Sequence, residues 1–230
     1  MKLGVLSESP ADEAALRVLA EAVLRESFGL VHPPLRARGW PNVAQVLPAV
    51  LRHLHFNTEA DGLIVVVDSD DSVVHTPEHD APDYFHPQCR LCQLRAVFRK
   101  VQKRFPVVRG RQRVLRAAGI AVPAIEAWYL GGQDPQVTEL AWMEGQARGW
   151  TPYSRRDLKY RVYGTDRPGL AFEIQRALES VRRHRGDLRR LEADFPNGFG
   201  AMARDLRGWP STRALPRHPE GASDAAPRPS

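Results

Sequence analysis

The sequence predicts an α/β fold with a central, mainly parallel sheet. The clearest indication is a run of five apolar residues that starts at Leu63, four of them β-branched, within a strand expected over 62–68. Such a continuous apolar run is typical of a strand buried on both faces, as in parallel sheets. A second indication is the apolar N-terminal segment up to Leu6, which leads directly into residues with helical spacing.

The N-terminal elements are a strand over residues 3–7 and a helix over residues 10–27. Ser9 is suited to cap this helix, with Pro10 at its first position and Asp12 as the acid of a capping box. The first strand therefore ends just before a helix begins, and the short turn between them lies at one edge of the sheet.

The middle of the chain predicts one more strand and two helices. A strand is expected within 30–38, interrupted by two prolines, and a helix over 42–55 is expected to kink at Pro48. Residues 71–87 are polar and rich in His, Asp and Pro, which predicts a loop. Apolar residues at steps of three and four then predict a helix over 88–105.

The C-terminal half is mostly helical in this interpretation. Residues 113–122 are expected to form a strand, although Arg113 and Gly119 make it a poor one, and Pro123 starts a short helix that carries Glu126. Helices are expected over 136–147, around 171–181 and around 199–209, and the basic stretch 149–168 is expected to be irregular.

Length and composition suit one α/β domain with elaborations. The chain has 230 residues, of which 43% are hydrophobic, and no apolar run reaches the length of a membrane span. We expect a first domain over 1–132, a helical extension over 133–209 packed on it, and a disordered tail over 210–230. With two cysteines and no signal-peptide pattern, the expected location is the cytoplasm, with no membrane partner.

The charge distribution favours polyanionic partners. The net charge is +6, and arginines and lysines cluster in three segments. Solvated helix faces explain any one cluster equally well. The residues expected to hold nucleic acid, whether DNA or RNA, are Arg99, Lys100, Lys103, Arg155, Arg156 and Lys159, and the first cluster also includes Arg109 and Arg111.

Acidic side chains follow the two predicted central strands. Asp68 and Asp70 point the same way if strand geometry persists, and ligands collect at the carboxyl ends of parallel strands. Glu8 lies at the same edge and suits general acid–base work or metal binding. Paired carboxylates are a hard-oxygen site that favours Mg²⁺ or Mn²⁺. Asp71 is a further ligand or only the start of the loop. A plain polar turn is the alternative for Asp68, Asp70 and Asp71, and a charge near a helix N-terminus is the alternative for Glu8.

Three blocks in this order resemble the Toprim fold, which occurs in topoisomerases, bacterial primases and OLD-type nucleases. The blocks are Glu8 after the first strand, Asp68-Ser69-Asp70 after the apolar strand, and the segment Pro123-Ala124-Ile125-Glu126-Ala127-Trp128. The likeness covers about the first 130 residues, and Phe195-Pro196-Asn197-Gly198-Phe199 resembles a late block of small stand-alone Toprim-like prokaryotic proteins. One departure is Glu8-Ser9, where many Toprim proteins have Glu-Gly.

The resemblance implies a three-layer sandwich and a metal-dependent nuclease in a defence or mobile-element context. Asp68 and Asp70 would hold the metal, Glu8 would activate water or share the metal, and Glu126 would complete a two-metal arrangement. The alternative is a non-catalytic Toprim-like module that binds nucleic acid or a partner ATPase, since the chain has no phosphate-binding loop of its own. The oligomeric state is left open.

A separate signal is the Cys-x₂-Cys spacing of Cys89 and Cys92, with His86 and two more histidines upstream. This spacing is typical of zinc sites, and a zinc-stabilised adaptor is a third hypothesis. The absence of a second Cys-x₂-Cys pair and the position of the cysteines at an amphipathic helix speak against it. The expected cofactor is therefore Mg²⁺ or Mn²⁺, and zinc is disfavoured.

Overall fold

The structure, a computed structural model, describes residues 1–81, 84–105 and 113–210, with only the backbone at residue 102. Its centre is a five-stranded sheet in which all strand pairings are parallel. The strands are β1 (Lys2–Ser7), β2 (Gly29–Leu30), β3 (Leu35–Arg36), β4 (Gly62–Asp68) and β5 (Leu115–Ala121). The expectations for Arg109, Arg111 and the tail beyond residue 210 lie outside the described residues.

The helices surround this sheet. They are α1 (Pro10–Leu24), α2 (Trp40–Asn57), α3 (Arg90–Arg104), α4 (Glu126–Leu130), α5 (Glu139–Ala147), α6 (Arg155–Tyr163), α7 (Leu170–Arg182), α8 (Arg189–Asp194) and α9 (Phe199–Arg207). Short 3₁₀ turns span Pro77–Asp80 and Arg183–Arg185. Among the described ranges, no helix is long and apolar enough to cross a membrane.

Buried side chains form two hydrophobic clusters, one on each face of the sheet. Along β4, Ile64 and Val66 join the cluster that contains α1 and α9, whereas Leu63, Val65 and Val67 join the cluster that contains α2 and α3. This alternation follows from the period of two in a strand, so both faces of β4 are buried. The predicted α/β fold with a parallel sheet is confirmed.

The strand order is β2-β1-β4-β5, and β3 also pairs with β1. Lys2 and Leu3 pair with β2, whereas Leu6 and Ser7 pair with β3. The expected strand within 30–38 is therefore two short strands, one on each side of Pro33-Pro34, because proline cannot donate to a ladder. This arrangement confirms the predicted interruption.

The stretch 149–168 is not irregular, because it contains α6. Ser154 caps this helix through the backbone N–H of Asp157, and the carboxylate of Asp157 accepts from the N–H of Ser154. Gly164 ends the helix in the left-handed conformation, with a φ of 71°. The capping residues Ser154 and Gly164 are both visible in the sequence, but the residues between them are mostly charged and do not suggest a helix. This helix carries Arg155 and Lys159.

Candidate functional site

The carboxyl ends of β1, β4 and β5 meet at one edge of the sheet. The backbone N–H of Ser69 donates to the carbonyl of Ala121 at 2.7 Å, and that of Asp70 donates to the carbonyl of Pro123 at 3.0 Å. These bonds hold the turn after β4 against the segment that leads into α4. The acidic residues of this region, called the carboxylate edge below, are Glu8, Asp12, Asp68, Asp70 and Glu126.

Asp68 is a buried acid of the carboxylate edge, with 6% of its surface exposed. Its Oδ1 accepts from the backbone N–H of Ile125 at 2.9 Å, and its Oδ2 lies 2.5 Å from a guanidinium nitrogen of Arg155. Burial raises the pKa of Asp68 well above its ordinary value, although Arg155 lowers it, and repulsion from Glu126 and other nearby acids raises it further. Burial and the neighbouring acids therefore favour uptake of a proton by Asp68, whereas Arg155 stabilises its ionised form.

Asp70 has a left-handed backbone, with a φ of 44°, so strand geometry ends before it. Its two carboxylate oxygens nevertheless contact two arginines, Arg90 at 2.8 Å and Arg155 at 3.2 Å. Arg155 thus bridges Asp68 and Asp70 with one planar guanidinium. Asp68 and Asp70 therefore lie close together, but a shared arginine and not continued strand geometry holds them there.

Glu126 starts α4 and is 4% exposed. Its Oε1 lies 3.9 Å from the ammonium group of Lys159, and its buried Oε2 has no hydrogen-bond partner within the described part of the chain. Burial raises the pKa of Glu126, and Lys159 and Arg155 oppose this shift. The hydroxyl of Tyr129, one turn further along, is also buried without a partner among those residues. Within the described residues, the unpaired oxygen of Glu126 and the unpaired hydroxyl of Tyr129 make this part of the carboxylate edge a candidate functional site.

Asp12 belongs to the carboxylate edge, and the sequence indicated only its structural role. It completes the capping box of α1, where the N–H of Ser9 donates to its carboxylate at 3.0 Å. Burial, with repulsion from Glu126 and other acids, raises the pKa of Asp12 to about 7, and the Ser9 hydroxyl opposes this shift. Its place shortly after Glu8, in the first turn of α1, was the available signal. Glu8 itself is half-buried, and its charge raises the pKa values of Asp12 and Asp68.

An Asp12→Asn variant is expected to gain stability over the wild type as pH rises. Because the pKa of Asp12 is raised, the folded protein keeps a proton that the unfolded chain releases above about pH 4. The free energy of unfolding of the wild type therefore falls as pH rises towards 7. Asparagine keeps the capping oxygen but does not titrate. We expect a relative gain of about 1–2 kcal/mol between pH 4.5 and pH 8, measured by urea unfolding. A difference that is constant with pH would contradict this assignment.

Several predicted residues lie away from the carboxylate edge. Asp71 is exposed at the start of the loop. Arg156 is also exposed and pairs with Asp166 at 3.1 Å. The exposed side chains of Arg99, Lys100 and Lys103 lie towards the far end of α3, about 14 Å or more along the helix from Arg90. Arg90, which the sequence analysis did not assign, is instead the α3 residue at this edge: it contacts Asp70 and donates to the carbonyl of Asp68.

A second group of side chains lies next to this edge. His75, His79, Cys89 and Cys92, called the His/Cys cluster below, each bring a ligand atom to within 4.8 Å of the others. Within the described residues, this is the one group of histidine, cysteine and carboxylate side chains whose ligand atoms come close enough to hold an ion. His86 is outside it, since its Nδ1 accepts from the N–H of Gln88 and its ring stacks on that of His79.

The expected cofactor, Mg²⁺ or Mn²⁺ with zinc disfavoured, is wrong. The ligand atoms that come together are nitrogen and sulfur, which suit zinc and not hard-oxygen cations. At the carboxylate edge, the guanidinium groups of Arg155 and Arg90 already pair with Asp68 and Asp70, which takes the place of a bound cation. The expected histidine ligand also changes, because His75 and His79 replace His86.

Arg90 joins the two sites. It lies between Cys89 and Cys92 in the sequence and contacts Asp68 and Asp70 through the same guanidinium nitrogen. The geometry of these two adjacent sites is therefore the basis for assigning a function. A comparison with family models, with curated proteins and with solved structures finds no match for this chain.

Proposed function

We propose that the protein hydrolyses phosphodiester bonds of nucleic acid at the carboxylate edge. The observation that carries this proposal is the convergence of Glu8, Asp68 and Glu126. They come from three separate segments, and the charges of Glu8 and Glu126 raise the pKa of the buried Asp68. Acids with raised pKa values at the carboxyl end of a parallel sheet are typical of catalytic sites. The same three segments carry the resemblance to Toprim nucleases, which makes a Toprim-like fold part of the proposal.

The chemistry needs one group that accepts a proton from water and one that donates a proton to the leaving oxygen. Glu8, half-buried at the edge, would accept the proton of the attacking water. Asp12, with a pKa of about 7, can donate at neutral pH. Water adds to phosphorus, the ester oxygen leaves with the donated proton, and the products are a phosphomonoester and an alcohol.

Cations at the same edge would hold the phosphate. Arg155 and Lys159 project from one face of α6 towards Asp68 and Glu126, so Asp68 would hold Arg155 in position for the phosphate. The side chain of Arg155 is 46% exposed, so it can meet a ligand from solvent while it stays close to the carboxylates. Guanidinium and ammonium groups there would also stabilise the charge that develops on phosphate oxygens.

The pairing of Arg155 favours a second candidate function. One guanidinium pairs with both Asp68 and Asp70, at 2.5 Å and 3.2 Å, and this pairing also fits a purely structural role for the two acids. In that case the protein would be a non-catalytic module that binds nucleic acid or a partner ATPase. Its binding would rest on exposed basic side chains such as Arg99 and Lys103.

The test is a cleavage assay on single- and double-stranded DNA and RNA, with wild type, Asp68→Asn, Glu8→Gln and Asp187→Asn. Asp187 is an exposed acid that pairs with Arg189, so its variant is the matched control. We expect cleavage by wild type and by the control, and a loss of about 100-fold or more in the other two. The zinc content of each preparation is measured in parallel, so that loss of metal is not mistaken for loss of the acid.

Cleavage that persists in Asp68→Asn and Glu8→Gln would place the reaction elsewhere. If wild type cuts none of the four substrates, the hydrolase proposal fails, and filter binding of the same substrates decides on the binding module. Salt-sensitive binding that Asp68→Asn leaves unchanged, and that Arg99→Ala weakens, would support that module.

A further inference from the structure

The His/Cys cluster is assembled from two segments. His75 lies in the loop after β4, and His79 lies in the 3₁₀ turn Pro77–Asp80, whereas Cys89 immediately precedes α3 and Cys92 lies in its first turn. His75, Cys89 and Cys92 are at most 4% exposed. Both cysteines are free thiols. The loop and the start of α3 thus bring these side chains together in a mostly buried cluster.

The distances within the cluster match those of a tetrahedral ion. Nδ1 of His75 lies 3.5 Å from Sγ of Cys89 and 3.7 Å from Sγ of Cys92. Zinc bonds of about 2.3 Å to sulfur and about 2.05 Å to nitrogen, at the tetrahedral angle, place these atoms about 3.6 Å apart. The imidazole of His75 and the two cysteine sulfurs are therefore already at coordination spacing, and the ligand atoms of all four residues lie within 4.8 Å of one another.

Hydrogen bonding alone does not explain this arrangement. Nδ1 of an imidazole has one site for a hydrogen bond, yet both sulfur atoms lie at similar distances from it. In addition, Nδ1 of His79 is buried with no partner in the part of the chain that the structure describes. A single ion would satisfy both sulfurs and both imidazoles together.

The surroundings of His75 are those of a metal-bound histidine. Its other ring nitrogen, Nε2, lies 3.0 Å from Oδ1 of Asp80, and Asp80 is held in turn by Arg95. A carboxylate on the far nitrogen orients the ring and directs the lone pair of Nδ1 towards the metal. The ring of His79 is stacked against those of Tyr84 and His86, which fixes its orientation too.

We propose that His75, His79, Cys89 and Cys92 bind one structural zinc ion, which positions Arg90 against Asp68 and Asp70. Four protein ligands leave no open position for water, so the ion has no place in the chemistry. Arg90 lies between the two cysteine ligands, and its guanidinium also lies over the ring of Trp40. Zinc binding does not depend on the proposed hydrolysis, and the positioning role concerns the same carboxylate edge.

The first experiment is metal analysis of the full chain purified without chelator. We expect about one zinc ion per chain in wild type and in His86→Gln, and little zinc in Cys92→Ser and His75→Gln. His86 is the matched control, because it stacks on His79 but lies outside the His/Cys cluster. Should the cysteine variant fail to fold, cobalt substituted into wild type gives the answer: tetrahedral d–d bands with thiolate charge transfer are expected.

The second experiment is hydrogen exchange of wild type before and after zinc removal. We expect faster exchange at residues 88–92 and also at residues 69–72, where Arg90 contacts the turn after β4. Faster exchange confined to 88–92 would overturn the positioning role. The zinc site itself is overturned if wild type holds no zinc and takes up none, or if intact mass shows a Cys89–Cys92 disulfide. Each result is read without a cleavage assay, so failure of the hydrolase proposal is a separate outcome.

Discussion

An Arg155→Met variant is expected to lose about 2–3 kcal/mol of stability at pH 8. Removing one partner leaves the buried carboxylate of Asp68 without a counter-charge, which costs more than the loss of a surface ion pair. The estimate is below the full effect for a buried pair because the Arg155 side chain is 46% exposed. Urea unfolding of the purified variants measures the difference.

The pH dependence identifies the cause. Asp68 already has a raised pKa, and loss of Arg155 raises it further, so the variant's deficit grows as pH rises and shrinks as Asp68 takes up a proton. Adding Asp68→Asn to Arg155→Met should recover stability at pH 8. The control is Arg156→Met, whose guanidinium pairs with Asp166 at the surface and should matter by less than about 0.5 kcal/mol. Equal stability of the two single variants would show that the bridge stabilises nothing.

A Gly198→Ala variant is also expected to lose about 2–3 kcal/mol of stability. A Cβ at this position would lie 2.1 Å from the carbonyl oxygen of Ile120 in β5 and 2.6 Å from Oε1 of Glu139. Glu139 is buried, and its two oxygens accept from the backbone N–H groups of Asn197 and Gly198 at 2.8 Å and 2.6 Å. The added methyl group must therefore displace a strand backbone or break these bonds. Thermal unfolding of the variant and of the wild type measures the loss.

Gly186→Ala is the matched control for this substitution. A Cβ at Gly186 would have no atom within 4 Å, and the backbone there has an ordinary φ of −85°. We expect its stability to lie within about 0.5 kcal/mol of wild type. If Gly198→Ala is as stable as Gly186→Ala, the backbone at Gly198, just before α9, does not approach β5 as closely as the structure indicates.

The parts of the fold that could be predicted are those with a local signal. The apolar run over 62–68 and the capping residues Ser9 and Asp12 each act on their own neighbours, so the elements followed from the sequence. The helix at 155–163 was missed because its capping signals surround mostly charged residues without a clear apolar stripe. Its two apolar residues Leu158 and Val162 pack into the hydrophobic core, and this tertiary contact is not visible in the sequence pattern.

The candidate site divides in the same way. Strand ends placed Glu8 and Asp68 at one edge, because parallel strands share their carboxyl ends. The approach of Arg155 to Asp68 has no local signal, since the two residues are far apart in the chain and meet only through tertiary packing. The same holds for His75, whose distance from the sulfurs of Cys89 and Cys92 depends on how the loop after β4 folds back.

The bridge from Arg155 to Asp68 and Asp70 also sets an order of assembly during translation. The ribosome makes β1, β4 and the acids of the carboxylate edge well before α6, because synthesis runs from the N-terminus. Until α6 has emerged, the buried acid at the end of β4 lacks its counter-ion. The nascent chain therefore carries excess negative charge at this edge, which Arg155 and Lys159 balance once α6 packs there.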